Sequence, residues 1–215
     1  MLRLVDAIRA DLLATHFAPG DRLVEIDLAD RYGVPRAAIR TALVTLAAEG
    51  LVDRQPNRGA SVRVLDVAEG IEIAEIRREL EELCSRHAAE VATPAERGEL
   101  LGLVEAMRLA TEQRLLGEYR ELSVRFHERV ADVSDHPTAR RFLREVRNHR
   151  LNVHFPEAFD SAVPVDSLEQ HAGIARAIAA GDADAAGRLM WEHVTHVVQL
   201  LEAHAARTPE ARHTA

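Results

Sequence analysis

The sequence predicts a mainly α-helical protein in two parts: a winged helix-turn-helix over 1–65, then an all-α antiparallel bundle over 66–207. Three observations carry this prediction. Apolar residues recur at helical spacing through most of the chain. Alternating, strand-like character is confined to two short segments flanking the turn PNRG at 56–59. After Asp66 the helical stretches are long and divided by short breaks, the mark of a bundle.

The elements of the first part follow in order. LRLVDAIRADLLATH (2–16) sets Leu4, Ile8 and Leu12 one turn apart, an apolar stripe on a first helix. APGD (18–21) is a turn by its Pro-Gly pair. VEIDLADRYG (24–33) is a short amphipathic helix with acids in its early turns, where the helix dipole favours them, and Gly33 stops it. In GVPRAAIRTALVTLAAEG (33–50), Ile39, Leu43 and Leu46 point inward from a helix over 36–49, and Gly50 supplies the left-handed cap. LVDRQ (51–55) and ASVRV (60–64) are the two strands of a hairpin.

In the second part, 66–92 reads as one long helix with Ile73, Ile76, Leu80 and Leu83 on its apolar side. Thr93 caps the next helix and Pro94 takes its first position. The remaining helices fall at about 94–115, 118–133, 137–153, 165–180 and 183–206, six in all, and the tail 208–215 is expected to fray.

Composition narrows the function. No run approaches the 18 or more apolar residues of a membrane span, which argues against a membrane partner. The first residues lack the basic segment and apolar stretch of a secretion signal. A single cysteine, Cys84, allows no disulfide within the chain and reads as a small buried hydrophobe. These features point to the cytoplasm. The net charge of −8 argues against indiscriminate coating of nucleic acid. Yet residues 1–65 hold nine arginines against eight acids, whereas 66–215 hold 18 against 27. The chain has no lysine, and ten of its eleven histidines lie beyond residue 65.

Arg36 and Arg40 stand one turn apart at the start of the third helix, on a surface otherwise kept small by Ala37 and Ala38. In a helix-turn-helix this helix sends its N-terminal side chains into the major groove. A guanidinium there can donate two hydrogen bonds to guanine O6 and N7, worth about 1–3 kcal/mol of discrimination. The opposing reading, surface ion pairs, would be preferred on a lone helix; the neighbouring turn, helix and Arg-bearing hairpin favour duplex DNA.

The phrases PGDRLVE, LADRYGV, R-x-x-x-R, LAAEGLV and PNRGA come in an order and spacing that resemble the DNA-binding domain of GntR-type bacterial regulators. The resemblance implies base contacts from Arg36 and Arg40, helped by Thr41, and a wing whose tip, Asn57-Arg58-Gly59, lies along the minor groove or backbone. Gly59 suits such an approach because it lacks Cβ. Ile26 stands where the family often has an arginine, and Pro35 where Ser or Thr is usual.

IRRELEE (76–82), VRFHERVADVSDHP (124–137) and EQHAGIARAIAAGDADAAGRLMWEHV (169–194) are similar to the FCD effector domain of the FadR-type branch, in its shorter, VanR-like six-helix form. That likeness implies a divalent metal site, for Zn²⁺, Ni²⁺ or a similar ion. His127, His171 and His193 fall on its histidine positions, and Ser123 replaces the usual Asp. Losing that carboxylate is expected to weaken the site, and a metal-free polar pocket is the competing reading. Arg77 falls where the family places a basic residue facing the pocket, which would attract an organic-acid effector; a salt bridge to Glu81 is the alternative. Arg147 and Asn148 are further effector candidates.

The expectation is a transcriptional regulator whose operator affinity responds to a small organic acid. One winged domain covers a half-site, so a homodimer on a pseudo-palindromic operator is the geometric consequence. Two rivals remain. A metal-dependent enzyme would use the bundle histidines but leaves the winged domain idle, and no HExxH-like pattern surrounds His127. A DNA-binding protein without effector would leave the bundle empty.

Overall fold

The computed structural model describes residues 2–14, 16–55, 59–147, 154–155 and 165–207. They divide into two compact units meeting at Asp66 and Val67, with residues 154 and 155 grouped with the first.

The first unit has the order α1 (Leu2–Leu13), β1 (Arg22–Leu23), α2 (Glu25–Tyr32), α3 (Arg36–Ala48), β2 (Val52–Gln55) and β3 (Gly59–Val62). α2 ends because Gly33 turns left-handed at φ 64°, sending its N–H back to the Ala29 carbonyl. α3 starts at once from Pro35, whose extended backbone (φ −62°, ψ 145°) serves as the cap without a side-chain hydrogen bond. It stops at Gly50, at φ 73°, as expected of that glycine. Ile39, Ala42, Leu43 and Leu46 of α3 are buried against Val5, Ile8 and Leu12 of α1 and Leu28 of α2. Burying each large aliphatic among them contributes about 1.5–3 kcal/mol. Arg9 of α1 grips Glu49 at the end of α3 through Nε and Nη2, at 2.8 and 2.7 Å.

The hairpin gains a third strand that the sequence did not announce. β1 pairs antiparallel with β3, Arg22 opposite Ser61 and Leu23 opposite Ala60, giving the order β1-β3-β2. Two residues cannot display a period, so only the pairing reveals β1. Within this unit the Leu65 N–H donates to His154 Nδ1 at 3.4 Å.

The second unit contains, among the described residues, α4 (Val67–Val91), α5 (Pro94–Glu112), α6 (Leu116–Val133), α7 (Pro137–Arg147), α8 (Val165–Ala180) and α9 (Ala183–Arg207). Thr93 and Glu96 form a reciprocal capping box at the start of α5, with Pro94 in the first turn. Leu100 and Met107, Phe126 and Val130, Ile174 and Ile178, and Met190 and Val194 form the core shared by α5, α6, α8 and α9.

The long helix α4 corrects the expected apolar side. Beyond Val67 at its start, its buried residues are small or polar: Gly70, Ala74, Glu81, Cys84, Ser85, Ala88 and Ala89. Ile76 is 54% exposed, and Leu80 and Leu83 are only partly covered, beside Ala139 and Leu143. The reason is close helix packing. Space against α9 is short: Gly187 carries no side chain and leaves room for the stem of Arg86, whose Cγ would lie 2.4 Å from a Cβ built there. The tail 208–215, the end of the 137–153 segment and the wing-tip residues Asn57 and Arg58 lie outside the described residues.

Candidate nucleic-acid interface and histidine centre

Arg36 and Arg40 project from the first two turns of α3, with side chains 61% and 59% exposed. Both meet Glu25, the first residue of α2. Arg40 donates from Nε to Glu25 Oε1 at 3.0 Å and from Nη2 to Oε2 at 2.9 Å. Arg36 Nη2 stands 3.6 Å from that same Oε2. The hydrogen bonds from Arg40 hold the Glu25 carboxyl below its ordinary pKa. The ion pairs weighed as the alternative therefore exist, but they leave both guanidinium groups at the surface. Thr41 is exposed on the next turn and donates its hydroxyl to the Ala37 carbonyl at 3.1 Å, so its outward oxygen is left to accept. Val44, 48% exposed, continues the row 36–40–44 and was not anticipated; an apolar side chain there suits a thymine methyl. Gly59 opens β3 at φ 90°, with nothing within 4 Å of a Cβ built on it, so its conformation rather than crowding requires glycine. Arg58 lies outside the described residues.

The second constellation joins three helices of the bundle. His127 comes from α6, His171 from α8 and His193 from α9; all are buried, at 4%, 1% and 7% exposure. One nitrogen from each ring lies within 4.8 Å of the others. Each Nδ1 faces an oxygen. His171 Nδ1 donates to the Ser167 carbonyl at 2.6 Å and His193 Nδ1 to Gln170 Oε1 at 2.8 Å. His127 Nδ1 lies 2.7 Å from Glu81 Oε2, a carboxylate oxygen that favours the ring proton on that nitrogen. These partners place the protons on Nδ1 and leave the lone pairs on Nε2.

Burial keeps the rings neutral. It pushes His171 down to about 3, with the neighbouring His127 adding to the effect. It lowers His193 well below the ordinary imidazole value and lowers His127 against the opposing pull of Glu81. The consequence is two facing lone pairs. Nε2 of His127 and Nε2 of His171 are 3.3 Å apart. Two nitrogens each about 2.0–2.1 Å from a tetrahedral metal stand about 3.3 Å apart, so the His127–His171 pair fits a divalent ion, and His193 is the third donor within reach. Ser123 is at the centre, its hydroxyl 3.2 Å from His171 Nε2. It can donate to that lone pair but brings no negative charge.

Glu81 is the main feature that sequence reading undervalued. It is 1% exposed, and beneath the histidines it accepts from Arg77 Nε at 2.7 Å and from Arg147 Nη2 at 2.9 Å. Burial alone would raise its pKa, but Arg77, His127 and Arg147 together outweigh that and hold it ionised. Arg77 thus makes the salt bridge its spacing allowed, while the bridge itself forms part of the histidine centre. Arg147 also donates to the His127 carbonyl at 3.0 Å. Two arginines against one carboxylate leave a local positive surplus. Asn148 lies outside the described residues. Ser167 and Gln170 were missed as well. Gln170 adjoins His171 in sequence yet serves His193 on another helix, which spacing cannot reveal.

Comparison with known proteins matches both units. Residues 1–62 match the family model of bacterial regulatory proteins, gntR family, and residues 72–196 match the FCD domain. The HTH-type transcriptional repressor RspR of Escherichia coli K12 is 28% identical over 191 residues, 88% of this chain and 83% of that protein. An HTH-type transcriptional regulator in an unstable DNA locus of Streptomyces ambofaciens is 31% identical over 209 residues, 94% of this chain and 85% of that protein. Among solved structures, E. coli McbR/YncC superposes with a TM-score of 0.81 at 20% identity, covering 94% of this chain and 97% of that one. A GntR regulator from Rhodococcus sp. RHA1 superposes with a TM-score of 0.76 at 25% identity, covering 94% of this chain and 97% of that one. With a winged unit that exposes paired arginines and a helical unit of FCD type, the chain belongs to the GntR family and is a DNA-binding transcriptional regulator.

Proposed function

We propose that this regulator binds a pseudo-palindromic operator as a homodimer in the cytoplasm and that a small organic acid, held at the histidine centre, changes its operator affinity. Arg36 and Arg40 read bases in the major groove, Thr41 assists them, and Arg58 and Gly59 place the wing on the DNA. His127, His171 and His193 hold a divalent ion such as Zn²⁺ or Ni²⁺, with Ser123 beside an open position. When bound, the ion supplies a Lewis-acidic centre for a carboxylate. The positive surplus of Arg77 and Arg147 over Glu81 attracts the same anion, and Asn148 extends the effector site.

The observation that carries this reading is the convergence of three buried, neutral imidazoles, with one nitrogen of each within 4.8 Å of the others and the Nε2 atoms of His127 and His171 facing each other at 3.3 Å. Two acceptors in that geometry repel unless a cation lies between them. Family membership favours this reading over a metal-dependent enzyme. Coupling between effector and DNA is expected at about 1–3 kcal/mol.

The test combines elemental analysis of the purified chain with thermal unfolding against a panel of small carboxylates. Operator binding is then measured with and without metal and the stabilising acid. About one divalent ion per chain, and an acid that stabilises only the metal-loaded form while shifting operator affinity, are expected. Metal content unchanged by His127→Ala would defeat the ligand assignment.

A further inference from the structure

The two exposed arginines of α3 are held by one carboxylate, and the mode of holding bears on what they can read. Arg40 uses Nε and Nη2, the side edge of its guanidinium, to grip Glu25 at 3.0 and 2.9 Å. Nη1 takes no part in this grip. The end edge, made by Nη1 and the second hydrogen of Nη2, is therefore fixed in direction and turned away from the carboxylate. That end edge is a two-donor fork that matches guanine O6 and N7.

We propose that Glu25 is a specificity-determining residue of the DNA interface: it buttresses Arg40 through the side edge so that the end edge is presented to guanine, and it sets the spacing to Arg36 through the shared Oε2. This rests on the reading of Arg36 and Arg40 as base contacts. Three features of the site support it. Glu25 opens α2, where backbone geometry and the helix dipole hold a carboxylate in place. Its side chain is 26% exposed while both partners are about 60% exposed, so the anchor is sheltered and the forks are free. A free arginine would have to surrender most of its rotamer freedom on meeting a base, and a guanidinium already held loses much less.

A negative charge beside the forks also repels phosphates. Glu25 therefore weakens contact with arbitrary duplex while strengthening contact with the correct base, and both effects widen the gap between operator and random DNA. A plain latch, in which Glu25 merely sequesters Arg40, makes the opposite forecast for the operator.

The experiment uses the full chain and a duplex selected by the wild type from a random pool, with a scrambled duplex of equal length as reference, at one fixed salt concentration. Glu25→Gln is expected to weaken operator binding by about tenfold, within the range of one bidentate base contact. Scrambled duplex should bind as well as before or tighter. Glu25→Asp keeps the charge but shortens the reach, and it is expected to behave like Glu25→Gln; retention of wild-type selectivity by the Asp variant overturns the buttress. Tighter binding to both duplexes by Glu25→Gln, or an unchanged ratio between them, overturns it too. Arg40→Ala separates the two levels of failure. If Arg40→Ala binds the operator normally, base reading by Arg40 falls and the proposal with it. If Arg40→Ala loses the operator but Glu25→Gln keeps the ratio, only the role of Glu25 falls.

Discussion

Glu81 is one carboxylate with three cationic or polar neighbours, Arg77, His127 and Arg147. Its replacement by Gln would leave Arg77 and Arg147 short of a counter-charge and His127 without the group that keeps its proton on Nδ1. A loss of divalent-ion affinity of about 10–100-fold is expected, read by competition with a chromogenic chelator. The histidines themselves predict an acid sensitivity of the metal-free chain. The folded pKa of His171, about 3, lies below its unfolded value of 6.5. Between those values the unfolded chain binds more protons, so stability is complete above pH 6.5 and falls as the pH drops towards 3. His171→Gln should flatten the decline of the unfolding temperature between pH 6.5 and 5, a range above the titration of Glu81. An equally steep decline in that variant would contradict the assignment. At the other end of the chain, Arg36→Ala and Arg40→Ala should each cost about 1–3 kcal/mol of specific binding while leaving circular dichroism unchanged.

The helices show how much of the architecture pattern can convey and where it stops. Caps were legible because they depend on one or two residues: Gly33, Gly50 and Thr93-Pro94 end or begin helices where their backbone chemistry requires. The buried side of α4 was not legible. Periodicity ranks large aliphatics as inward, whereas a close helix contact selects small residues and pushes Ile76 outward. Likewise, Arg77 and Glu81 at i, i+4 look the same whether the pair is in water or beneath three imidazoles. The histidines were placed by family likeness, and their convergence needed three helices in position. The packing itself is testable. Gly187→Ala forces a Cβ onto Arg86 and should cost about 1–3 kcal/mol in urea unfolding. Gly98→Ala, with open space around it in α5, should be neutral or stabilising by up to about 1 kcal/mol. Equal effects at the two sites would mean the contact strip is looser than drawn.

Across the whole molecule, charge and titratable groups are partitioned by task. The chain carries −8 overall, yet its first 65 residues have one more arginine than acids. Attraction to DNA is therefore expected from the first unit, where Arg36 and Arg40 stand exposed, and the net-negative remainder discourages adhesion elsewhere. Operator affinity should therefore fall steeply as salt rises, because phosphate contacts release counterions. A flat dependence between about 50 and 200 mM salt would speak against arginine–phosphate contacts as a main source of affinity.

The sealed thiol of Cys84 offers a use of its own. It lies 1% exposed beside Ala131, Ala139 and Leu143, one turn of α4 beyond Glu81, and burial raises its pKa. An alkylating reagent can reach the sulfur only when the surrounding helices part. Its rate of modification is thus an intrinsic clock for breathing of the bundle, and any small molecule that tightens the bundle should slow that clock without a label having been added.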